Sequence, residues 1–475
     1  MDNKPAWRTL LDPLEWEKKY RARCGTTLDH IRAVGQTAVC DWTSNDVHLV
    51  SRTSRLRPIG YSGRLFIHDA FSDIICGLHT GLEAASQWVA LQAVLSGATS
   101  QVAYFARHGV EIEEDDCPAI FFSKYLVDNG EFRTAKAIEI LTSLQSGLEF
   151  TRVGRADMKG RSEAGHRTIH KRAGHKMTGT TRGRQRQRGQ SNPAELACWM
   201  SHEFTRILLK TIRYVNREQR VPEFMDKHPF RTAMKQDGVT PTRKAIYQWG
   251  VANGLVASPP FDEDHLRTRL LPQFRASVHS DGVYLIRPDR GRKIDRVRGH
   301  RFIGPRALEY GWLERARRDG PFFIDVHLDH NRLDCIWHAD ENGIAELRNQ
   351  SNDVPMVMTG VLAETLAIQD EDVVDEDIAR DQTDQARAEH TAAVAAADEL
   401  HKRQKLKEIA DAEEKVTKKG LSSNVRENRQ SEMAENPDQQ EIVNEIESGS
   451  ELLPDTNADT GSDAVDDLLN RHRTN

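Results

Sequence analysis

Three acidic residues stand where a metal-dependent chemistry could use them: Asp41 in TAVCDWTSNDVHLV, Asp128 in FFSKYLVDNGEF and Glu163 in VGRADMKGRSEAGHRTIHKR. Phosphoryl transfer to or from a nucleic acid is served by two divalent cations, held a few ångströms apart by carboxylates that stay ionised at neutral pH. A strand that stops on an aspartate pushes its carboxylate past the sheet edge, where a metal is reached without burying an unpaired charge. Asp41 and Asp128 each follow an apolar run, and the 34 residues between Asp128 and Glu163 leave room for a helix and a strand that return the third acid to the first two. Asp46, Asp69 and Asp73 are alternative acids near the first strands, and Asp69 also ends an apolar run.

The elements that must position these acids follow from hydrophobic period. Residues 36–77 have the pattern strand, strand, turn, strand, with Pro58-Ile59-Gly60 marking a turn, and Leu65–Gly77 (LFIHDAFSDIICG) is expected to be a single strand with a serine near its end. Apolar residues at helical spacing predict a helix over Gly81–Leu95, packed on the sheet. Gly109–Pro118 is an acidic loop, Ala119–Val127 a fully buried strand, Phe132–Ser146 a helix and Leu148–Val153 a strand. Pro193–Val215 is expected to be one long helix closing this core. Gln219–Gln273 is helical with proline breaks, and Arg275–Arg348 changes to a two-residue period with Gly, Asp and Asn at the turns, which predicts a small β-barrel.

The order Asp41-Trp42-Thr43, the serine-containing second strand, Val127-Asp128-Asn129-Gly130, and Lys159-Gly160 followed by Glu163 and a His/Arg-rich helix resembles the retroviral-integrase superfamily. Within it, the resemblance is to transposases of the Mu and TnsB type, and it spans roughly Gln36–Asn349. It implies an α/β fold: a ribonuclease-H-like mixed sheet with flanking helices, then a Mu-type β-barrel and a largely helical and disordered acidic tail. The implied activity is metal-dependent DNA cleavage and strand transfer of mobile-element ends, with Asp41, Asp128 and Glu163 holding two Mg²⁺ ions for which Mn²⁺ can substitute. Arg155, Lys159, Arg161, Arg167, Lys171 and Arg172 are the DNA contacts that the basic segment around Glu163 suggests, Lys159 matching a substrate-contacting position of the family. Trp42 departs from the family, whose TnsB branch carries a small residue there; strand alternation would direct it to the opposite face. A protein that keeps the fold for DNA binding or assembly without the chemistry is the alternative, and a simple nuclease a third reading.

The expected organisation is a lead-in over 1–35, a catalytic core over 36–218, a helical connector over 219–273, a barrel over 274–350 and an acidic tail over 351–475. Asp12-Pro13 is a plausible start for a short helix in the lead-in. The resemblance implies helical end-binding domains ahead of the core. The lead-in is too short for them, so end recognition is expected from a longer reading frame or another polypeptide.

Charge divides the chain. Leu366–Asn475 carries 28 Asp and Glu against 13 Lys and Arg, whereas 1–365 carries 44 acids and 53 bases, so the overall net charge of −6 hides a basic body and an acidic tail. A basic body suits a polyanionic partner, because lysine and arginine gain affinity by displacing counterions condensed on phosphates. Arg152–Arg188 concentrates this, with 12 basic residues against Asp157 and Glu163; its second half, Lys176–Gln190, is expected to be disordered until DNA orders it. A mean hydropathy of −0.63 agrees with a chain that packs only in part.

Asp377–Lys419 has helix-forming composition without a strong apolar seam, which predicts an exposed helix, and Leu421–Asp459 is expected to be disordered. The last residues, GSDAVDDLLNRHRTN, form a short amphipathic motif. The resemblance implies that this end recruits an ATPase of the AAA+ class, and that the protein self-assembles on transposon-end and target DNA. The six cysteines show no paired metal-ligand spacing. No phosphate-binding Gly-Lys-Ser/Thr loop occurs, and no apolar run reaches the ~18 residues of a membrane span, so a cytoplasmic protein of bacterial, nucleoid-associated type is expected. His166 and His170, one turn apart, invite a zinc assignment, but a surface or DNA-contact role is favoured; His327, His330, Cys335 and His338 fall on adjacent expected strands, whose alternation puts them partly on opposite faces.

Overall fold

The computed structural model describes residues 29–127, 132–151, 160–182, 192–288, 295–341, 343–411 and 428–429, without side chains for 160–164. The lead-in helix, Asp128, Arg155, Lys159, the segment 421–427 and the closing amphipathic motif lie outside the described residues. Contacts divide the chain into two units, 1–376 and 377–475.

In the first unit, β1 (Ala38–Val50), β2 (Pro58–Asp69) and β3 (Ile75–Gly81) form an antiparallel meander. The chain then crosses through α1 (Gln87–Ala98) and α2 (Val102–Arg107) to β4 (Lys124–Val127), which pairs parallel with β1. Helix α3 (Ala135–Ser143) leads to β5 (Gly147–Phe150), parallel to β4, giving the sheet order β3-β2-β1-β4-β5. This antiparallel meander continued by parallel strands is the mixed α/β sheet expected of a ribonuclease-H-like core.

Each face of the sheet has its own core. On one, Cys40, Leu65, Ile67 and Cys76 pack with α1, where Gly77 and Gly97 meet so closely that a Cβ at 77 would lie 2.7 Å from the Cα of Gly97. On the other lie α4 (Gly160–Arg172) and, after the short β6 (Trp199–Met200), α5 (Ser201–Arg217). Phe204, Leu208, Leu209, Ile212 and Val215 form the buried stripe of α5 against Phe66, Ile75 and Leu78. Ile169 of α4 joins them.

Helices α6 (Pro222–Asp226), α7 (Arg231–Gln236), α8 (Arg243–Ala252) and α9 (Glu263–Leu270) follow, and Thr242 caps α8 by accepting from Ala245 N. A closed six-stranded barrel comes next, in the order β10-β11-β12-β9-β8-β7. Its strands are β7 (Gln273–His279), β8 (Gly282–Leu285), β9 (Phe302–Ile303), β10 (Phe322–His327), β11 (Cys335–Asp340) and β12 (Gly343–Asn349). Ala276, Val278, Val283, Leu285, Phe302, Val326, Ile336 and Leu347 fill it. Two helices the two-residue period did not announce, α10 (Pro305–Glu309) and α11 (Trp312–Asp319), interrupt it.

Helix α12 (Val354–Thr359) precedes α13 (Leu362–Asp411). Leu362, Glu364, Thr365 and Gln369 at the start of α13 are buried in the first unit. In the second unit the helix from Asp377 to Asp411 is exposed apart from Ile409, as its weak apolar seam implies.

Several expectations need correction. Leu65–Gly77 is not one strand: the chain reverses at Ala70–Ile74, with Asp73 in the left-handed region at φ 64°. Buried Asp69 holds that reversal by accepting from Ser72 N (2.9 Å), Ser72 Oγ (2.7 Å) and Gly35 N (3.1 Å). Pro58 opens β2 instead of marking a turn. Ala119–Val127 is largely buried, but only its last four residues pair in the sheet. The helix expected from Pro193 begins at Ser201, after a 3₁₀ turn and β6. Lys176–Arg182, expected to be disordered, runs beside β1, where His48 N donates to Gly179 O and Thr181 N to Asp46 O.

Candidate active site

Asp41 follows three buried β1 residues, Ala38, Val39 and Cys40, but β1 does not stop on it as expected: the strand runs on to Val50, held by its pairing with β2, and half-buried Asp41 is its fourth residue. The parallel register pairs Ala38 with Tyr125 and Val39 with Leu126, so Asp41 is two residues past a strand pair whose other member ends at Val127. Asp41 is opposite Phe66 of β2, and Trp42 opposite Leu65, which puts successive side chains on opposite faces. Trp42 accordingly packs with the α1-side core and against Gly63, where a Cβ would lie 2.8 Å from its ring. The tryptophan does not obstruct the face that carries Asp41.

Helix α4 crosses that face. At Gly165 it approaches β2 so closely that a Cβ would lie 2.7 Å from His68 Cε1. One residue later, His166 stacks on Phe66 with centroids 5.1 Å apart and planes 16° apart. Its Nδ1 accepts from Arg64 Nε at 3.3 Å, which fixes the proton on Nε2, and Nε2 donates to the Asp41 carbonyl oxygen at 3.2 Å. The same Nε2 stands 3.8 Å from Asp41 Oδ2. Burial holds His166 well below its ordinary pKa, with Arg64 and His68 adding to the effect, so the ring is neutral at pH 7.

Arg64 itself is 2% exposed. Its guanidinium donates to Asn45 Oδ1 and, at 3.4 Å, to the His166 carbonyl, while Asn45 donates to Ser62 Oγ at 2.8 Å. Burial lowers Arg64 to about 9, which leaves it a cation at neutral pH. Arg64, Phe66 and His68 alternate on one face of β2 and form the bed on which α4 lies. Arg64 and Asn45 were not among the sequence-derived candidates; an arginine at an inward position of the run RLFIHDAF is the signal that could have found Arg64.

Of the other candidates, Glu163 and Arg161 have backbone positions on α4, Glu163 three residues before His166, and their side chains are not described. Arg167, Lys171 and Arg172 are exposed on α4, with Arg172 lying 5.7 Å from the Tyr214 ring centroid. Asp69 has a structural role in its turn, and Asp73 is paired with Arg243 at 2.9 Å. Asp46 contacts His170 and His175 instead of Asp41's surroundings. His327 and His338 bond to the carbonyls of Leu271 and Asp325, and no metal-ligand group forms around them among the described residues. The described cysteines are all free. No described helix is long and apolar enough to cross a membrane.

Residues 39–179 match the family model of the TnsB C-terminal domain. Transposon Tn7 transposition protein TnsB of Escherichia coli is 26% identical over 325 residues, covering 68% of this chain and 44% of the relative. The chain thus spans less than half the length of that curated relative. Among solved structures, the BIV integrase catalytic core is similar at 10% identity, covering 46% of this chain and 98% of its own, with a TM-score of 0.26. The simian T-cell lymphotropic virus intasome, solved with the PP2A regulatory subunit B56 gamma, matches at 12% identity over 61% of this chain and 80% of its own, with a TM-score of 0.27.

Proposed function

We propose that this chain is a DNA transposase of the TnsB type that cleaves and joins strands with Asp41, Asp128 and Glu163 as metal ligands. The observation that carries the reading is the parallel register of β1 and β4. Val39 pairs with Leu126; Asp41 lies two residues further along β1, and Asp128 is two residues beyond Leu126 in the sequence. Helix α4 supports the third position: His166 bonds to Asp41, and residue 163 precedes it by three residues, about 4.5 Å along the axis.

Asp41 has the chemistry of a ligand for Mg²⁺ or Mn²⁺: a hard oxygen donor, half-buried on β1, whose neighbouring imidazole is neutral and presents its N–H to the main chain. Bound there with Asp128 and Glu163, two such ions would stabilise charge on the attacking and leaving oxygens of an in-line displacement. The chain's own part is to hold Asp41 rigidly through the His166–Arg64–Asn45 contacts. In this reading Arg155, Lys159, Arg161, Arg167, Lys171 and Arg172 are the contacts to DNA phosphates. The last two turns of α4 carry exposed cations, which favours DNA along this face.

Partners in this reading are transposon-end and target DNA, further copies of the chain assembled on that DNA, and an AAA+ ATPase engaged by the C-terminal motif. Its proposed place is the bacterial cytoplasm, on the nucleoid. The domain limits 36–218, 219–273, 274–350 and 351–475 are part of the same proposal.

The test is joining of pre-nicked end DNA to a target plasmid in Mg²⁺ or Mn²⁺, comparing the native chain with Asp128→Asn. Joining by the native chain alone supports the reading. Equal activity of the two proteins removes it, hydrolysis without joining makes the chain a nuclease, and DNA binding with no reaction leaves an assembly protein.

A further inference from the structure

We propose that Asp46, His170 and His175 form a second cation site, separate from the candidate acids, that takes a borderline transition ion of the Zn²⁺ class. The three ligands come from three elements: Asp46 from β1, His170 from the last turn of α4, and His175 from the 3₁₀ turn that follows. His170 Nδ1 lies 2.9 Å and His175 Nε2 3.0 Å from the same oxygen, Asp46 Oδ2, and all three donor atoms fall within 4.8 Å of one another. The two rings face each other at 5.7 Å with planes 28° apart.

Hydrogen bonding alone accounts for only half of this convergence. His175 Nε2 is aligned with Asp46 Oδ2 as a hydrogen bond. His170 Nδ1 is buried and close to the same oxygen, yet it makes no hydrogen bond. A buried ring nitrogen without a partner is costly, about 1–3 kcal/mol by the usual measure. A lone pair on that nitrogen aimed at a shared ion removes the anomaly.

The donor set selects the ion. Two imidazoles with one carboxylate suit Zn²⁺ and its neighbours, whereas Mg²⁺ prefers oxygen. Ligand bonds of about 2.0–2.1 Å put tetrahedral donors about 3.3 Å apart, so the 2.9 and 3.0 Å approaches of the two rings to Asp46 Oδ2 need open by only a few tenths of an ångström. The sequence spacing, His170 and His175 with four residues between them, falls in the range of structural zinc ligands. His166, which shares a helical face with His170, is not part of the group, because its Nε2 is committed to Asp41. The site would pin the end of α4 to β1, and the inference does not depend on the chain being a transposase.

The full chain, stripped with chelator and dialysed against Zn²⁺, is analysed for metal by mass spectrometry and titrated in competition with a chromophoric chelator. The expected result is a Zn²⁺ ion retained by the native chain and by Asp41→Asn, with affinity falling about 100-fold in His170→Asn and in His175→Gln. Co²⁺ should give visible d–d absorption in the native chain and not in His175→Gln. Zn²⁺ should also raise the melting temperature of the native chain and leave that of His175→Gln unchanged. His175→Gln keeps the variant set informative should His170→Asn fail to fold. Zn²⁺ lost in Asp41→Asn but retained in His175→Gln, or no retention by the native chain, overturns the proposal. Neither outcome bears on strand transfer.

Discussion

His166 donates from Nε2 to the main-chain carbonyl of Asp41 at 3.2 Å, so helix α4 is fastened to the stretch of β1 that carries the first candidate acid. The bond joins residues 125 positions apart, and the Asp41 carboxylate stands 3.8 Å from the same ring nitrogen. A side chain that fixes the backbone of a candidate metal ligand acts on geometry, and its removal should separate folding from chemistry. In His166→Ala, the Phe66 stack and two hydrogen bonds are lost and Arg64 keeps fewer partners. We expect a loss of about 3 kcal/mol in urea unfolding. His166→Gln should recover part of the stability, and its joining rate should fall further than its stability does.

Arg64 tests the same bed from the other side. A buried guanidinium held by Asn45 and His166 is tolerable only while those acceptors remain. Asn45→Ala and Arg64→Met should each destabilise the chain. The double variant should be less affected than the sum, with a coupling of about 1–3 kcal/mol from a double-mutant cycle in urea. Additive effects would mean that the two side chains act independently.

The start of α13 is held to the first unit by a second buried ion pair. Glu364 is 4% exposed and meets Arg52 at 3.3 Å, while Arg52 also donates to Pro355 O and Thr359 Oγ1. Arg52→Met should cost about 3–5 kcal/mol, because it leaves a carboxylate buried without its cation, and adding Glu364→Leu should restore most of that. Thermal melting of the three variants checks this.

Histidines impose a pH dependence. Burial, with His202, Arg107 and Arg52 adding, holds His108 at about 4 in the folded chain, against 6.5 when unfolded. Between those values the unfolded chain binds more protons, so this histidine's contribution is complete above pH 6.5 and is lost as the pH falls toward 4, by up to about 1.4 kcal/mol per pH unit. His68 and His166 are lowered chiefly by burial too and act in the same direction. Urea midpoints measured from pH 7 to pH 4 should fall, and His108→Gln should reduce the slope.

The basic turns of α4 make a separate prediction. Removing Arg167 or Lys171 should weaken binding to any DNA sequence alike and reduce the slope of log K against log salt by about 0.9 each, measured by anisotropy titration.

What the sequence made legible was local. Asp41 could be picked out because three buried residues precede it, and the barrel because Arg275–Arg348 alternates between apolar and polar residues. The reversal at Ala70–Ile74 was hidden, since it depends on Asp69 reaching the amide of Gly35, 34 residues earlier. Phe121 and Phe122 resemble strand residues by hydropathy, yet they are buried by the surrounding core without pairing in the sheet. Arg64 was silent because its acceptors, Asn45 and His166, are brought to it only by the fold. The cluster of Asp46, His170 and His175 was missed for the same reason: pairing histidines by helical spacing favoured His166, and the turn after α4 returns His175 instead.

The joining rate of Asp41→Asn, set beside that of Asp69→Asn on the same pre-nicked ends in Mg²⁺, tests the central claim most directly. Asp41→Asn should fold with near-native stability and lose joining by at least about 100-fold. Asp69→Asn should lose stability through its buried turn, and the fraction that remains folded should still join. Asp41→Asn joining at the native rate, with the folded Asp69→Asn protein inactive, would contradict the account.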